Sequence, residues 1–139
     1  MLKRKVDDYL IQWKNNPDRL PLVIKGARQI GKTFSVRNFA KNYKNYIEIN
    51  FITDPQFKTI FKNGYSPESI IKEITLLKPD WEFIPNETLI LFDEIQVFPD
   101  CTTCLKFFKL DGKYDVICSG SLLGINYNQI TSVSVGYKT

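Results

Sequence analysis

The sequence predicts an α/β fold of three layers, a mostly parallel sheet covered by helices on both faces. Two observations carry this. Short, wholly apolar runs alternate with amphipathic segments of helical period along the 139 residues, which is the pattern of buried parallel strands joined by helical crossovers. The residue types suited to chemistry also gather just after those apolar runs, at the carboxyl ends of the expected strands, where open α/β sheets bind ligands.

Each element has its own signal. Val6, Leu10 and Trp13, with Tyr9 beside them, recur at helical spacing, and Asn15-Asn16-Pro17-Asp18 stops that helix. Leu20 to Lys25 is an apolar strand running into a glycine-rich turn. Val36, Phe39, Ala40 and Tyr43 fall at i, i+3, i+4 and i+7, predicting a helix that starts near Gly31. Tyr46 to Phe51 alternates as a strand. Asp54-Pro55 is expected to cap a short helix carrying Phe57, Ile60 and Phe61, closed by Asn63-Gly64. Ser66-Pro67-Glu68 opens a helix with Ile70, Ile74 and Leu77 on one face, ended by Pro79. Thr88 to Phe92 is an apolar strand, Asp100 is expected to cap a helix that buries Cys101, Cys104, Leu105 and Phe108, Asp111-Gly112 turns the chain, and Tyr114 to Cys118 is the fourth strand.

Composition narrows the chemistry. A chain of this length has room for one domain and buries roughly two-thirds of its unfolded surface. With 43% hydrophobic and 24% charged residues, collagen-like and disordered classes are excluded. No apolar run approaches the ~20 residues of a membrane helix, and the charged N-terminus leads into no apolar signal core, so the expected setting is cytoplasmic with no membrane partner. There is no His, which removes Ser-His-Asp and Cys-His hydrolases and His-bound zinc. Three Cys without a secretory signal argue for reduced thiols. Cys101 and Cys104 spell C-x-x-C without a second pair; their spacing with Leu105 and Phe108 favours core packing over a redox pair.

Charge is uneven. Residues 1–46 hold 11 Lys and Arg against 3 Asp and Glu, while residues 47–139 hold 8 against 12. Anion binding belongs in the first half.

There, Gly26-Ala27-Arg28-Gln29-Ile30-Gly31-Lys32-Thr33 matches GxxxxGK[ST] between an expected strand and an expected helix, with Phe34 following. In such a P-loop, backbone N–H groups curl around a phosphate, Lys32 reaches the outer phosphates and the Thr33 hydroxyl can ligate Mg²⁺. Leu89 to Phe92 leads into Asp93-Glu94. Asp93 suits the metal side, and Glu94 is placed to polarise an attacking water. The guanine-reading Asn-Lys-x-Asp is absent and the chain has only four Arg, which favours ATP over GTP and hydrolysis over transfer to a metabolite. Ser119-Gly120-Ser121, beyond the fourth strand, either offers hydroxyls near the γ-phosphate or is an ordinary Ser/Gly loop.

The stretches RLPLVIKGARQIGKT, LILFDEIQ and DVICSGSLLG together resemble a family of prokaryotic AAA-type ATPases that carry a C-terminal domain of unknown function. The resemblance implies a P-loop NTPase core with sheet order 5-1-4-3-2, Gly26 to Thr33 as Walker A, Asp93 and Glu94 as Walker B, and Ser119 to Ser121 as the sensor 1 region, with Ser121 favoured over Ser119. It also implies a fifth strand, a lid and the C-terminal domain beyond residue 139. The chain is therefore expected to be an N-terminal fragment, its fifth strand missing or incomplete, the exposed edge of the first strand prone to self-association and its turnover slight. No Arg follows Arg37, so the arginine finger implied by the resemblance is either missing or expected beyond residue 139. A second reading, from another class, is a nucleotide-dependent switch or nucleic-acid-binding module whose basic first half contacts DNA or RNA phosphates.

Overall fold

A computed structural model describes residues 5–26, 30–121 and 134–138. Helix α1 (Lys5–Asn15) leads to β1 (Leu22–Gly26), α2 (Ile30–Phe39) and β2 (Asn45–Asn50). A 3₁₀ segment (Pro55–Phe61), α3 (Pro67–Leu77) and β3 (Thr88–Asp93) follow, then two 3₁₀ turns (Ile95–Val97 and Pro99–Cys104), α4 (Leu105–Asp111), β4 (Asp115–Ser121) and β5 (Ser134–Lys138).

The five strands form one sheet in the order β2-β3-β4-β1-β5, which is 5-1-4-3-2 read from the other edge. All four pairings are parallel. The fifth strand, expected to be missing or incomplete, is present as five residues paired with β1 from Leu22↔Ser134 to Lys25↔Lys138, with a register shift between Val23 and Lys25. Its sequence, Ser-Val-Gly-Tyr-Lys, places β-branched and aromatic residues at alternate positions, which suits extended backbone. Strand β1 is thus interior, and self-association through an open edge of β1 loses its basis.

Period-two alternation splits the strand residues between the two faces. Leu22, Ile24, Leu89, Leu91 and Ile117 pack with Val6, Leu10, Trp13, Val36 and Phe39 under α1 and α2. Val23, Ile47, Ile49, Ile90, Phe92, Val116 and Cys118 pack with Phe57, Ile60, Ile70, Ile74, Leu105 and Phe108 under the 3₁₀ segment, α3 and α4. All six residues of β3 are buried, because this interior strand is flanked by β2 and β4 and covered on both faces; each of its large apolar side chains contributes about 1.5–3 kcal/mol by leaving water.

Several local expectations shift. Tyr43 lies past α2 in extended backbone (φ −119°, ψ 153°), after a 3₁₀ turn over Ala40–Asn42. Its hydroxyl instead donates to Asp115 Oδ2 at 2.5 Å, and Asp115 also takes a two-bond contact from Arg19, Nε to Oδ1 and Nη2 to Oδ2, each 2.9 Å. Leu77 is largely outside the core, at 40% exposure. Ser66 caps α3 as expected, accepting from Ser69 N–H at 3.2 Å. Asp54 and Asp100 do not cap: Asp54 precedes a 3₁₀ segment without a side-chain capping bond, and Asp100 lies inside the second 3₁₀ turn, with α4 beginning only at Leu105. Pro99 holds that stretch in a tighter helix than the heptad-like spacing suggests.

Candidate nucleotide and metal site

The carboxyl ends of β1, β3 and β4 converge. Register pairs Asp93 with Ser119, and Ser119 with Ile24 and Ser121 with Gly26. The Ser119-Gly120-Ser121 stretch is not a loop beyond the strand but its last three residues, since small side chains allow the sheet to continue where neighbouring chain crosses close. Gly120 shows the reason. A Cβ there would stand 2.9 Å from Ile95 Cγ1 and 3.0 Å from Gln96 Oε1, so glycine is what lets the turn after β3 lie against β4.

Asp93 ends the buried strand at 6% exposure. Its Oδ2 accepts from Thr33 Oγ1 at 3.3 Å, and its Oδ1 accepts from the Glu94 backbone N–H at 2.9 Å. Burial raises its pKa above the usual carboxylate range, the Glu94 N–H and Thr33 hydroxyl oppose that, and the Glu94 and Glu48 charges add to it. A carboxylate left in a low-dielectric site with hard oxygen beside it suits a divalent cation such as Mg²⁺. The donor set therefore fits the metal that the motif implies.

Glu94 is half-buried and takes the left-handed conformation, φ 59° and ψ 44°. That turn breaks the strand alternation, so the second carboxylate does not follow the first along the sheet. Few side chains adopt this backbone without cost.

The first turn of α2 contains Ile30, Gly31, Lys32 and Thr33, placing the helix N-terminus directly after β1 and its dipole toward the carboxyl end of the sheet. Ala27, Arg28 and Gln29 lie outside the described residues, as do the side chains of Lys32 and Ser121. Phe34 is 48% exposed. Thus Thr33, Asp93 and Ser119 are brought together, and Gly26 and Ser121 lie in register beside them.

Sequence reasoning missed Arg37 and Glu48. Arg37 Nε and Nη2 donate to Glu48 Oε1 and Oε2 at 2.8 and 2.7 Å, and Tyr46 OH donates to Glu48 Oε1 at 2.6 Å. The signal was available: Arg37 is four residues after Thr33, hence on the same helix face, and Glu48 alternates with the apolar Ile47 and Ile49.

The three thiols are free and buried. Cys104 Sγ donates to Cys101 O at 2.9 Å, and burial raises the pKa of both Cys101 and Cys104. They form part of the core under α4, and no group of three or more metal-ligating side chains occurs among the described residues.

A five-stranded parallel sheet in this order, with a glycine-rich turn and helix after β1 and an acidic pair after β3, defines a P-loop ATPase core of the AAA type. The chain belongs to the AAA domain family, whose model matches residues 18–139. A solved structure of PCH-2 from C. elegans is similar in fold, with a TM-score of 0.57 at 13% identity, covering 96% of this chain and 40% of that one. The chain thus spans less than half the length of that protein. No curated protein matches its sequence. Nucleotide binding of the ATPase type is the function this family assigns, and no helix among the described residues is long and apolar enough to cross a membrane.

Proposed function

We propose that the chain binds ATP with Mg²⁺ at Gly26 to Phe34 and hydrolyses its β–γ phosphoanhydride bond, coupling nucleotide state to a partner. The observation that carries this reading is the Thr33–Asp93 contact, which joins the first turn of α2 to the acidic end of β3, 60 residues on. Backbone N–H groups from Gly26 to Thr33 hold the phosphates, and Lys32 balances charge on the outer ones. Thr33 and Asp93 are the residues that hold Mg²⁺, which when bound neutralises phosphate charge and orients the terminal phosphoryl group.

Glu94 accepts a proton from the attacking water as its oxygen bonds to the γ-phosphorus and the bridging oxygen leaves with ADP. Ser119 and Ser121 supply hydroxyls on the neighbouring strand, at the level of Asp93 and of Gly26. With no Arg after Arg37 to stabilise the transferring group, turnover by this chain alone is slight; an arginine in that role is worth about 10³–10⁵ in rate at related sites. The free thiols support a reducing, cytoplasmic setting.

Calorimetric titration with ATP, in Mg²⁺ and again in EDTA, tests this. One site is expected, tighter with Mg²⁺, and Thr33→Val should erase most of that difference. Equal affinity with and without Mg²⁺ in the wild-type chain contradicts the reading.

A further inference from the structure

Two polar rungs tie α2 to the sheet. The first is Thr33 to Asp93. The second, one helical turn on, is Arg37 to Glu48, made through two parallel bonds. Four residues of helix advance about 6 Å. On the sheet, Glu48 registers with Leu91 and Asn50 with Asp93 in parallel pairing, so Glu48 and Asp93 are diagonal neighbours on the same face, roughly 8 Å apart from the strand spacing and two residues of rise. The spacing along the helix and the diagonal of the sheet nearly match, and both rungs close together.

Glu48 is a rigid anchor. Its carboxylate accepts three bonds, two from Arg37 and one from the Tyr46 hydroxyl, and Tyr46 itself packs on the α1 and α2 side of the core. Its side chain is 22% exposed while that of Arg37 is 61% exposed, so the pair adds little to global stability. What a fork-shaped guanidinium on a planar carboxylate supplies is direction. It restricts rotation and sliding of α2 over β2 and β3, and Thr33 rides on that helix. The pair also keeps the Glu48 charge matched beside Asp93, whose carboxyl already feels it.

We propose that Arg37 and Glu48 are a positioning pair that sets the Thr33 hydroxyl over Asp93 and thereby fixes the Mg²⁺ affinity of the nucleotide site. The proposal rests on the MgATP reading above. Neither residue touches nucleotide or metal; both act through the placement of α2.

The test is a Mg²⁺ titration of the chain with a fluorescent ATP analogue, alongside analogue binding in EDTA. Arg37→Met and Glu48→Gln should each raise the Mg²⁺ concentration for half-maximal effect by about 10-fold, the loss common when an outer partner of a metal ligand is removed. Affinity in EDTA should stay within about twofold. Asp115→Asn, which breaks the Arg19 and Tyr43 contacts at the other end of the sheet, serves as the comparison: it should lower the melting temperature without moving the Mg²⁺ midpoint. An unchanged midpoint in both Arg37→Met and Glu48→Gln overturns the positioning role, as does an equal loss of affinity with and without Mg²⁺. If the wild-type chain shows no Mg²⁺-dependent binding, the MgATP reading itself has failed, and the pair has no metal site to position.

Discussion

The backbone N–H of Glu94 donates to the carboxylate of Asp93, 2.9 Å away, while Glu94 takes left-handed backbone at φ 59°. Two adjacent acids are thereby given different places. Asp93 stays in line with the strand and meets Thr33; Glu94 leaves that line and is free of the Thr33 contact.

Glu94→Gln should leave nucleotide affinity unchanged and lower phosphate release by roughly 10²–10⁴-fold, the usual cost of losing a general base. The comparison is best made in a longer chain with measurable turnover. Lost binding with unaltered hydrolysis per bound ATP would reverse the assignment of the two acids.

Asp93→Asn should separate stability from function. Among the described residues the buried carboxylate accepts from neutral donors alone, the Thr33 hydroxyl and the Glu94 N–H, so the neutral isostere should raise the melting temperature of the metal-free chain at neutral pH, by about 3–5 °C for a gain on the order of 1 kcal/mol. It should also abolish the Mg²⁺ dependence of ATP binding. A lower melting temperature would show that the buried charge is better satisfied than its contacts indicate.

Gly120→Ala should destabilise. The added methyl meets Ile95, itself fully buried, and overpacking of this kind costs about 1–3 kcal/mol. Chemical denaturation should register that loss, and because the displaced turn carries Glu94, phosphate release should fall with it. Wild-type stability would mean that Ile95 yields without cost.

Acid sensitivity has a source in Glu48. Bonding to Arg37 holds its carboxyl below the ordinary range; burial opposes this, and the Tyr46 hydroxyl and the Arg37 charge add to the lowering; Arg37, Tyr46 and Asp93 are the charged or titratable groups around it. A lowered folded-state pKa contributes stability present above the unfolded value and lost as pH falls through the folded one. Glu48→Gln should therefore narrow the gap to wild type below about pH 4, as followed by thermal melts across the acid range.

Cys101→Ala with Cys104→Ala should cost on the order of 1 kcal/mol per site through lost packing, with nucleotide affinity and metal content unaltered. Stoichiometric zinc in the purified wild-type chain, by elemental analysis, would restore a metal role to the C-x-x-C.

How much was legible follows from which signals are local. The apolar run at Leu89 to Phe92, the helical period of Ile70 and Ile74, and that of Val36 and Phe39 are each set by residues close in sequence, and each element formed where expected. The strand order came from resemblance rather than from pattern, and the sheet bears it out. Limits appeared where a contact from elsewhere decides. Tyr43 keeps helical spacing with Val36 but leaves the helix to bond Asp115, 72 residues on. Ser119 to Ser121 were expected just beyond the strand, because small polar residues often end one, whereas here the turn at Ile95 and Gln96 demands glycine at position 120 inside the strand. Asp100 had the chemistry of a cap, yet the Phe98-Pro99 start favours a tighter helix. At the site, Thr33 and Asp93 were readable from motif spacing; the pairing of Arg37 with Glu48 needed the relative placement of a helix and a strand.

The central claim, that this chain is an MgATP-binding core, is tested most directly by titrating a fluorescent ATP analogue into the wild-type chain and Lys32→Ala with Mg²⁺ present. Saturable binding to the wild type that is weakened at least about 10-fold in the variant is expected, since a cation to the outer phosphates is worth more than 1.4 kcal/mol. Equal affinity in the two chains would contradict the assignment of Gly26 to Thr33 as the phosphate-binding loop.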